Sequence, residues 1–243
     1  MEPLGEIKFR KTTTPRGAPL VPGSRCLFTI SVNACNQTID DLVSAYFWAK
    51  DRYDIQGLLV GDGLYRITLR ICNASAPQAA REKAAVVGNR FLEEFLASAK
   101  ARHLEVFKTS NLFTDPEFIV TYQRIDHLYR TDTILQEAVN SDAKFFVDRQ
   151  HKHGRLKISE NEAVTLSEYY IKQEIAVYLL MAERGWPTDI YLGQEIPTLA
   201  KIMNGEIPGA PKALRQRINV GLQKRTKKQV VFHPAPIPLT IAA

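Results

Sequence analysis

Apolar and polar positions change period several times along these 243 residues, and the changes mark the elements. Residues 26–31, Cys-Leu-Phe-Thr-Ile-Ser, form a short apolar run that predicts a buried strand. A turn-like stretch, Asn33-Ala34-Cys35-Asn36-Gln37, follows. Thr38 with Asp41 three places on forms a capping-box pattern and opens a helix to about Arg52. Its face is Leu42, Val43, Tyr46, Phe47 and Ala49. Residues 56–62 read as a second buried strand ending in a loop. Ser75-Ala76-Pro77 starts a long helix to about Arg102, with Ala84, Val87, Phe91, Leu92 and Phe95 at helical spacing. Residues 104–109 alternate as a third strand. Helices are expected over 116–139 and 141–150, and 151–158 reads as a polar, basic linker or short strand. A strong helix runs over 162–184, ended by Gly185 and Pro187. Residues 229–232 are expected to be the last strand.

Strand, helix, strand within the first such unit predicts a right-handed crossover and a parallel sheet. The order of elements predicts an α/β, Rossmann-like three-layer domain with a mainly parallel central sheet. The expected boundaries are a flexible basic leader at 1–25, one domain at 26–232 and a proline-rich tail at 233–243. No internal repeat is visible. Ligands of such sheets sit beyond the carboxyl ends of the strands, which directs attention to the loops after 26–31 and 56–62.

Charge sharpens this picture. The net charge of +6 is unevenly spread. Residues 1–25 hold five basic and two acidic groups, and residues 207–243 hold seven basic and no acidic groups. The middle, 26–206, has 20 basic and 24 acidic groups. This pattern excludes a uniformly basic nucleic-acid coat, and 45% hydrophobic residues exclude a wholly disordered chain. The three cysteines, Cys26, Cys35 and Cys72, form no CxxC and suggest a reducing, cytoplasmic setting. No apolar run has the length of a membrane span, and the N-terminus has no secretory apolar region.

Ser31 stands where the first strand meets its loop, where a hydroxyl nucleophile can be presented. Serines there are also ordinary turn formers. Tyr170 and Glu174 are spaced i, i+4 and share a helix face, a pairing able to hold an amine and move protons. Tyr169 is expected to be core. Arg81, Lys83, Arg90, Lys100 and Arg102, with Lys108 nearby, suit a phosphate backbone, although interleaved glutamates fit a solvated, ion-paired face equally. Lys224, Arg225, Lys227 and Lys228, with Lys212, Arg215 and Arg217 upstream, are undiluted by acid and point to a polyanion. The five histidines show no metal-ligand spacing, and neither GxSxG, GxGxxG nor a Walker A motif occurs.

Three stretches together resemble the cyclodipeptide synthases. These are Leu27-Phe28-Thr29-Ile30-Ser31-Val32-Asn33 with the following helix and Val60-Gly61-Asp62, then Phe113-Thr114-Asp115-Pro116-Glu117-Phe118, then Tyr170-Ile171-Lys172-Gln173-Glu174. They span roughly residues 26–200. The resemblance implies a fold like the catalytic domain of class I tyrosyl- and tryptophanyl-tRNA synthetases, and use of two aminoacyl-tRNAs without ATP, metal or other cofactor. It implies Ser31 as nucleophile and Tyr170 and Glu174 as handlers of the substrate amine. Thr29, Asn33, Asp62 and Phe118 fall at substrate-binding places. The helix carrying Arg81, Lys83, Arg90, Lys100 and Arg102 corresponds to a basic tRNA-docking helix. One branch of the family has asparagine three residues beyond the serine and a later Tyr-His pair. Here these places hold Ala34 and Tyr191-Leu192, so Tyr191 takes the proton-relay role.

The expectation is thus a tRNA-dependent aminoacyltransferase acting as a monomer, with Asp62 or Asp40 favouring arginyl-tRNA for one residue. The alternatives are an S-adenosylmethionine methyltransferase using Gly61-Asp62-Gly63, and a non-catalytic tRNA-binding relative.

Overall fold

The computed structural model describes residues 9–19, 24–32, 37–193 and 195–224. In chain order the elements begin with β1 (Phe9–Thr14), β2 (Cys26–Ile30), α1 (Ile39–Lys50), β3 (Ile55–Val60), α2 (Asp62–Asn73) and α3 (Pro77–Ser98). Next come β4 (Glu105–Lys108), α4 (Thr109–Leu112), α5 (Pro116–Thr131), α6 (Thr133–Lys152) and α7 (Glu160–Glu183). The last are β5 (Thr188–Leu192), α8 (Pro197–Met203), α9 (Lys212–Arg215) and β6 (Ile218–Lys224).

The strands form one sheet in the order β1-β6-β5-β2-β3-β4. Every pairing is parallel except that of β1 with β6. This is the expected α/β architecture. Period-two alternation divides each strand between two cores. Phe28, Ile30, Leu58, Val60, Ile190, Leu192, Val220 and Leu222 join the side chains of α1 and α3 on one face. Leu27 and Leu59 join α5, α6 and α7 on the other. From β2 the chain moves to β3 on one side, and later to β5 on the other, so the gap above β2 is the topological switch point.

Local chemistry explains several boundaries. Thr38 Oγ1 accepts from Asp41 N at 3.2 Å and Thr38 N donates to Asp41 Oδ2 at 3.3 Å, the expected capping box of α1. The single helix expected over 116–139 is instead two. Asp132 leaves helical geometry at φ −112°, closing α5, and its carboxylate accepts from Leu135 N at 3.0 Å to open α6. Residues 151–158 hold no strand; they finish α6 and lead to the Ser159 cap of α7.

The expected flexible leader is corrected by β1. Residues 9–14 pair along their whole length with β6 and close one sheet edge. Lys11 and the run of threonines suit an antiparallel edge with one wet face. The last described strand is Ile218–Lys224, while the expected strand at 229–232 and the tail lie outside the described residues. The hydrophobic pattern does not signal α2, α4, β5, α8 or α9.

Candidate active site

Ser31 is the first residue after β2, half-buried at the switch point. Its neighbour across the gap is Tyr191 on β5, because β2 and β5 run in parallel register with Thr29 opposite Tyr191. Tyr191 OH lies 3.1 Å from Ser31 Oγ. Above them passes α7. Its Tyr170, Glu174 and Tyr178, spaced i, i+4 and i+8, present one stripe to the same pocket. The pocket has a volume of about 70 Å³, and Leu59, Leu64 and Val177 give it apolar walls.

The polar groups here are short of partners. Glu174 Oε2 and Thr29 Oγ1 are buried, with no hydrogen-bond partner among the described residues. Burial pushes the Glu174 carboxyl up to about 7 against the pull of Arg217, with Asp189 and Asp142 adding to the rise. Burial likewise holds the Tyr170 phenol well above its ordinary range, and the Glu174 charge adds to it. A buried acceptor with nothing donating to it is costly, and an incoming ammonium or hydroxyl would satisfy it.

Behind the stripe lies a buried charge network. Arg217 lies 3.6 Å over the Tyr178 ring and donates to Asp189 and, at 3.0 Å, to Glu195 Oε1. Asn219 Nδ2 donates to Asp189 Oδ2 at 3.0 Å. The two carboxylates hold Arg217 firmly charged despite its burial. The sequence groups Arg217 with polyanion-binding tail residues; in the fold it is 1% exposed and committed to this network.

Four sequence-predicted residues, Ser31, Tyr170, Glu174 and Tyr191, therefore meet at one pocket, and Thr29 lines it. Asn33 lies outside the described residues. Asp62 does not reach the pocket. Its carboxylate accepts from Thr109 Oγ1, Ser110 N and Ser110 Oγ, pairs with Lys108 Nζ at 3.4 Å, and is completely buried. Asp40 is an exposed residue of the first turn of α1. Both carboxylates that motivated an arginine preference are thus off the pocket. Phe118 is a core residue, packed between Phe113 and Tyr122. Tyr169, expected in the core, is exposed and packs edge-on to Tyr122.

The basic set divides. A Cβ on Gly88 would collide with Asp62 Cβ, so the middle of α3 is level with the carboxyl end of β3. Arg81 and Lys83 rise beyond that rim, and Arg90, exposed, pairs with Glu94. Lys100 and Arg102 follow the far end of α3, about 15 Å or more lower at 1.5 Å per residue. Lys224 forms an ion pair with Asp41. Arg225, Lys227 and Lys228 lie outside the described residues.

Two site residues escape sequence reasoning. Gly193 has φ +151°, and a Cβ there would meet Tyr191 Cε1 at 2.7 Å. A glycine just after a strand tyrosine is the available signal. Gln37 stands at the end of a turn-like stretch, where nothing in the sequence marks it. It is 8% exposed, with its amide nitrogen donating to the Leu192 carbonyl.

The fold has solved counterparts. A CDPS from Fluoribacter dumoffii superposes with a TM-score of 0.71 at 19% identity, covering 90% of this chain and 99% of that one. A cyclodipeptide synthase from Bacillus thermoamylovorans gives 0.65 at 14% identity, over 84% and 90% of the two chains. A Mycobacterium tuberculosis protein, described as demonstrating that cyclodipeptide synthetases are related to type I tRNA synthetases, gives 0.64 at 13% identity over 84% and 87%. The chain therefore has the fold of the cyclodipeptide synthases, as the sequence resemblance implied. No protein-family model matches the sequence, and no curated protein matches it.

Proposed function

We propose that this chain is a cyclodipeptide synthase, making a diketopiperazine from two aminoacyl-tRNAs by ping-pong acyl transfer through Ser31. The shared fold supports the class. The observation that carries the reading is the meeting of Ser31 and Tyr191, 3.1 Å apart, with the buried, unpartnered Oε2 of Glu174 at a switch-point pocket.

In this reading Ser31 Oγ attacks the ester carbon of the first aminoacyl-tRNA. The tRNA ribose oxygen leaves with a proton, and an aminoacyl-serine remains. Glu174 and Tyr170 hold the ammonium of the bound aminoacyl group, and Thr29 Oγ1 supplies one more polar contact. The amine of the second aminoacyl-tRNA displaces Ser31, and the resulting dipeptidyl-tRNA cyclises when its free amine expels the second tRNA. The acyl groups arrive activated as esters, so positioning and charge stabilisation carry the rate. Aminoacyl-tRNAs as substrates imply a reaction in the cytoplasm. No helix among the described residues is long and apolar enough to cross a membrane.

The methyltransferase alternative is not favoured. Gly61-Asp62-Gly63 opens α2, Gly63 N donates to Thr109 Oγ1 at 2.8 Å, and a Cβ on Gly63 would strike Ser110 N at 2.6 Å. Gly63 serves packing against α4 and Gly61 lies against the end of β2, leaving no open loop for a nucleoside.

Expression in a bacterium with mass spectrometry of the medium tests the reading and identifies the amino acids joined, arginine included. Ser31→Ala is expected to abolish both the diketopiperazine and the covalent aminoacyl-enzyme. Product at the wild-type rate from Ser31→Ala removes the serine from the mechanism. A chain that binds tRNA but never acylates is a non-catalytic relative.

A further inference from the structure

The sequence groups Lys108 with phosphate-binding cations, but in the fold its ammonium points inward. Lys108 closes β4, level with Val60 at the end of β3. Its side chain is 17% exposed. Nζ lies 3.4 Å from Asp62 Oδ2 and donates to Asn89 Oδ1 at 2.6 Å. An ammonium only donates, so it is the amide oxygen of Asn89 that faces it. One side chain thus joins three elements: the sheet at β4, the first turn of α2 through Asp62, and the middle of α3 through Asn89.

The two ends of this strut hold different things. The buried Asp62 carboxylate also accepts from Thr109 Oγ1 at 3.2 Å, Ser110 N at 3.0 Å and Ser110 Oγ at 2.5 Å. These donors keep Asp62 in place without Lys108. Around it Gly61, Leu64, Tyr65 and Thr109 line the pocket that holds Ser31. Asn89 is exposed on α3, next to Gly88, whose missing Cβ lets the helix close on Asp62. The helix is anchored unevenly. After Gly88 it buries Phe95 in the core shared with the strands. Before Gly88, toward the rim, its buried residues are Ala80 and Ala84, which pack on Leu69 of α2. Small side chains bury little apolar area, so a polar strut adds proportionately more to this half. Arg81 and Lys83 belong to it, the farther about 10 Å from Gly88 at 1.5 Å per residue.

We propose that Lys108 is a positioning residue that holds the rim half of α3 in register with the acyl pocket. This rests on the synthase reading above and on α3 as the helix that docks tRNA. Ser31 follows a strand of the sheet, whereas a docked tRNA is held by α3. The ester carbon at the acceptor end is therefore placed relative to Ser31 Oγ by how α3 sits on the sheet. Lys108 fixes that relation through Asp62 and Asn89, and its charge is spent between them rather than on a phosphate. Rate falls steeply when reacting atoms are misplaced by about 1 Å. Phosphate contacts at Arg81 and Lys83 survive such a shift, because the tRNA moves with the helix.

The test uses the full-length chain and an aminoacyl-tRNA identified from its product. Filter binding across a salt series reads tRNA affinity, and rapid-quench intact mass at saturating tRNA reads acyl-enzyme formation. Lys108→Met is expected to keep the affinity within about twofold of wild type and its salt slope unchanged, while acylation slows about tenfold. Asn89→Ala alters an exposed residue of α3 and should slow acylation comparably, which guards against a misfolded Lys108 variant. The two substitutions together should cost no more than the larger alone, since they break one strut. A salt slope that drops by about one in Lys108→Met makes Lys108 a phosphate contact and overturns the proposal. Acylation at the wild-type rate in Lys108→Met overturns it too, as do losses that add in the double variant. Slow Lys108→Met beside an unimpaired Asn89→Ala confines the lysine to the pocket wall and likewise overturns it. Each of these leaves the synthase reading intact. A wild-type chain that never acylates overturns both.

Discussion

A carboxylate buried with one oxygen unpartnered works against folding, and Glu174 is such a group. With its carboxyl raised from 4.5 to about 7, the folded chain binds this proton more tightly than the unfolded chain does. Its effect on stability therefore declines as pH rises from about 4.5 through about 7. Glu174→Gln removes that titration and should melt higher than wild type at pH 8. The same shift governs activity with the opposite sign. Only ionised Glu174 attracts an ammonium, so product formation should rise about tenfold per pH unit below 7 and level off above it. Glu174→Gln should be slow at every pH, without that inflection. A wild-type profile that is flat from pH 6 to 8 would detach Glu174 from the amine.

At the scale of elements, the turn after β5 carries the most consequence for the fewest residues. Gly193 is needed both for its positive φ and for the space beside Tyr191. Gly193→Ala should displace the phenol and lower cyclodipeptide release by about tenfold or more, given how steeply rate falls with misplacement. Acyl-enzyme formation, which needs Ser31 rather than the phenol, should fall less; equal loss in both steps would mean the turn shapes the whole pocket. This turn was not legible in the sequence, and the reason is physical. β5 sets a buried Asp189 and a half-buried Tyr191 on its site face, so its pattern lacks the apolar signal of a core strand. The sequence did reveal β2, α1, β3, α3 and α7, whose apolar runs and caps agree with their surroundings. It missed α2, since glycines at 61 and 63 read as loop although Gly63 allows close packing on α4. It missed β1, whose lysine and threonines carry little apolar signal. Of the site, Ser31, Tyr170, Glu174 and Tyr191 were legible through motif spacing. Gln37 and Arg217 were not, because their roles depend on partners distant in sequence: Leu192 for one, Asp189 and Glu195 for the other.

For the whole molecule, the question is whether the basic residues can serve one tRNA. The sheet answers by its direction. Phe9 pairs with Lys224, and Leu192 with Leu222, so the strand ends nearest both chain termini lie at the carboxyl rim, where Ser31 sits. Arg81 and Lys83 rise beyond the same rim, whereas Lys100 and Arg102 lie at the opposite edge, beside the start of β4. A tRNA whose acceptor end enters the Ser31 pocket would meet the first group and miss the second. Removing one phosphate-binding cation should reduce the slope of log affinity against log salt by about one. Arg81→Ala with Lys83→Ala, and Lys227→Ala with Lys228→Ala, should therefore each weaken tRNA binding at low salt and flatten that slope. Lys100→Ala with Arg102→Ala should leave both unchanged. Filter binding across a salt series decides it: an equal loss from the Lys100 and Arg102 pair would move the tRNA away from the rim, and no change from the Lys227 and Lys228 pair would remove the tail from the interface.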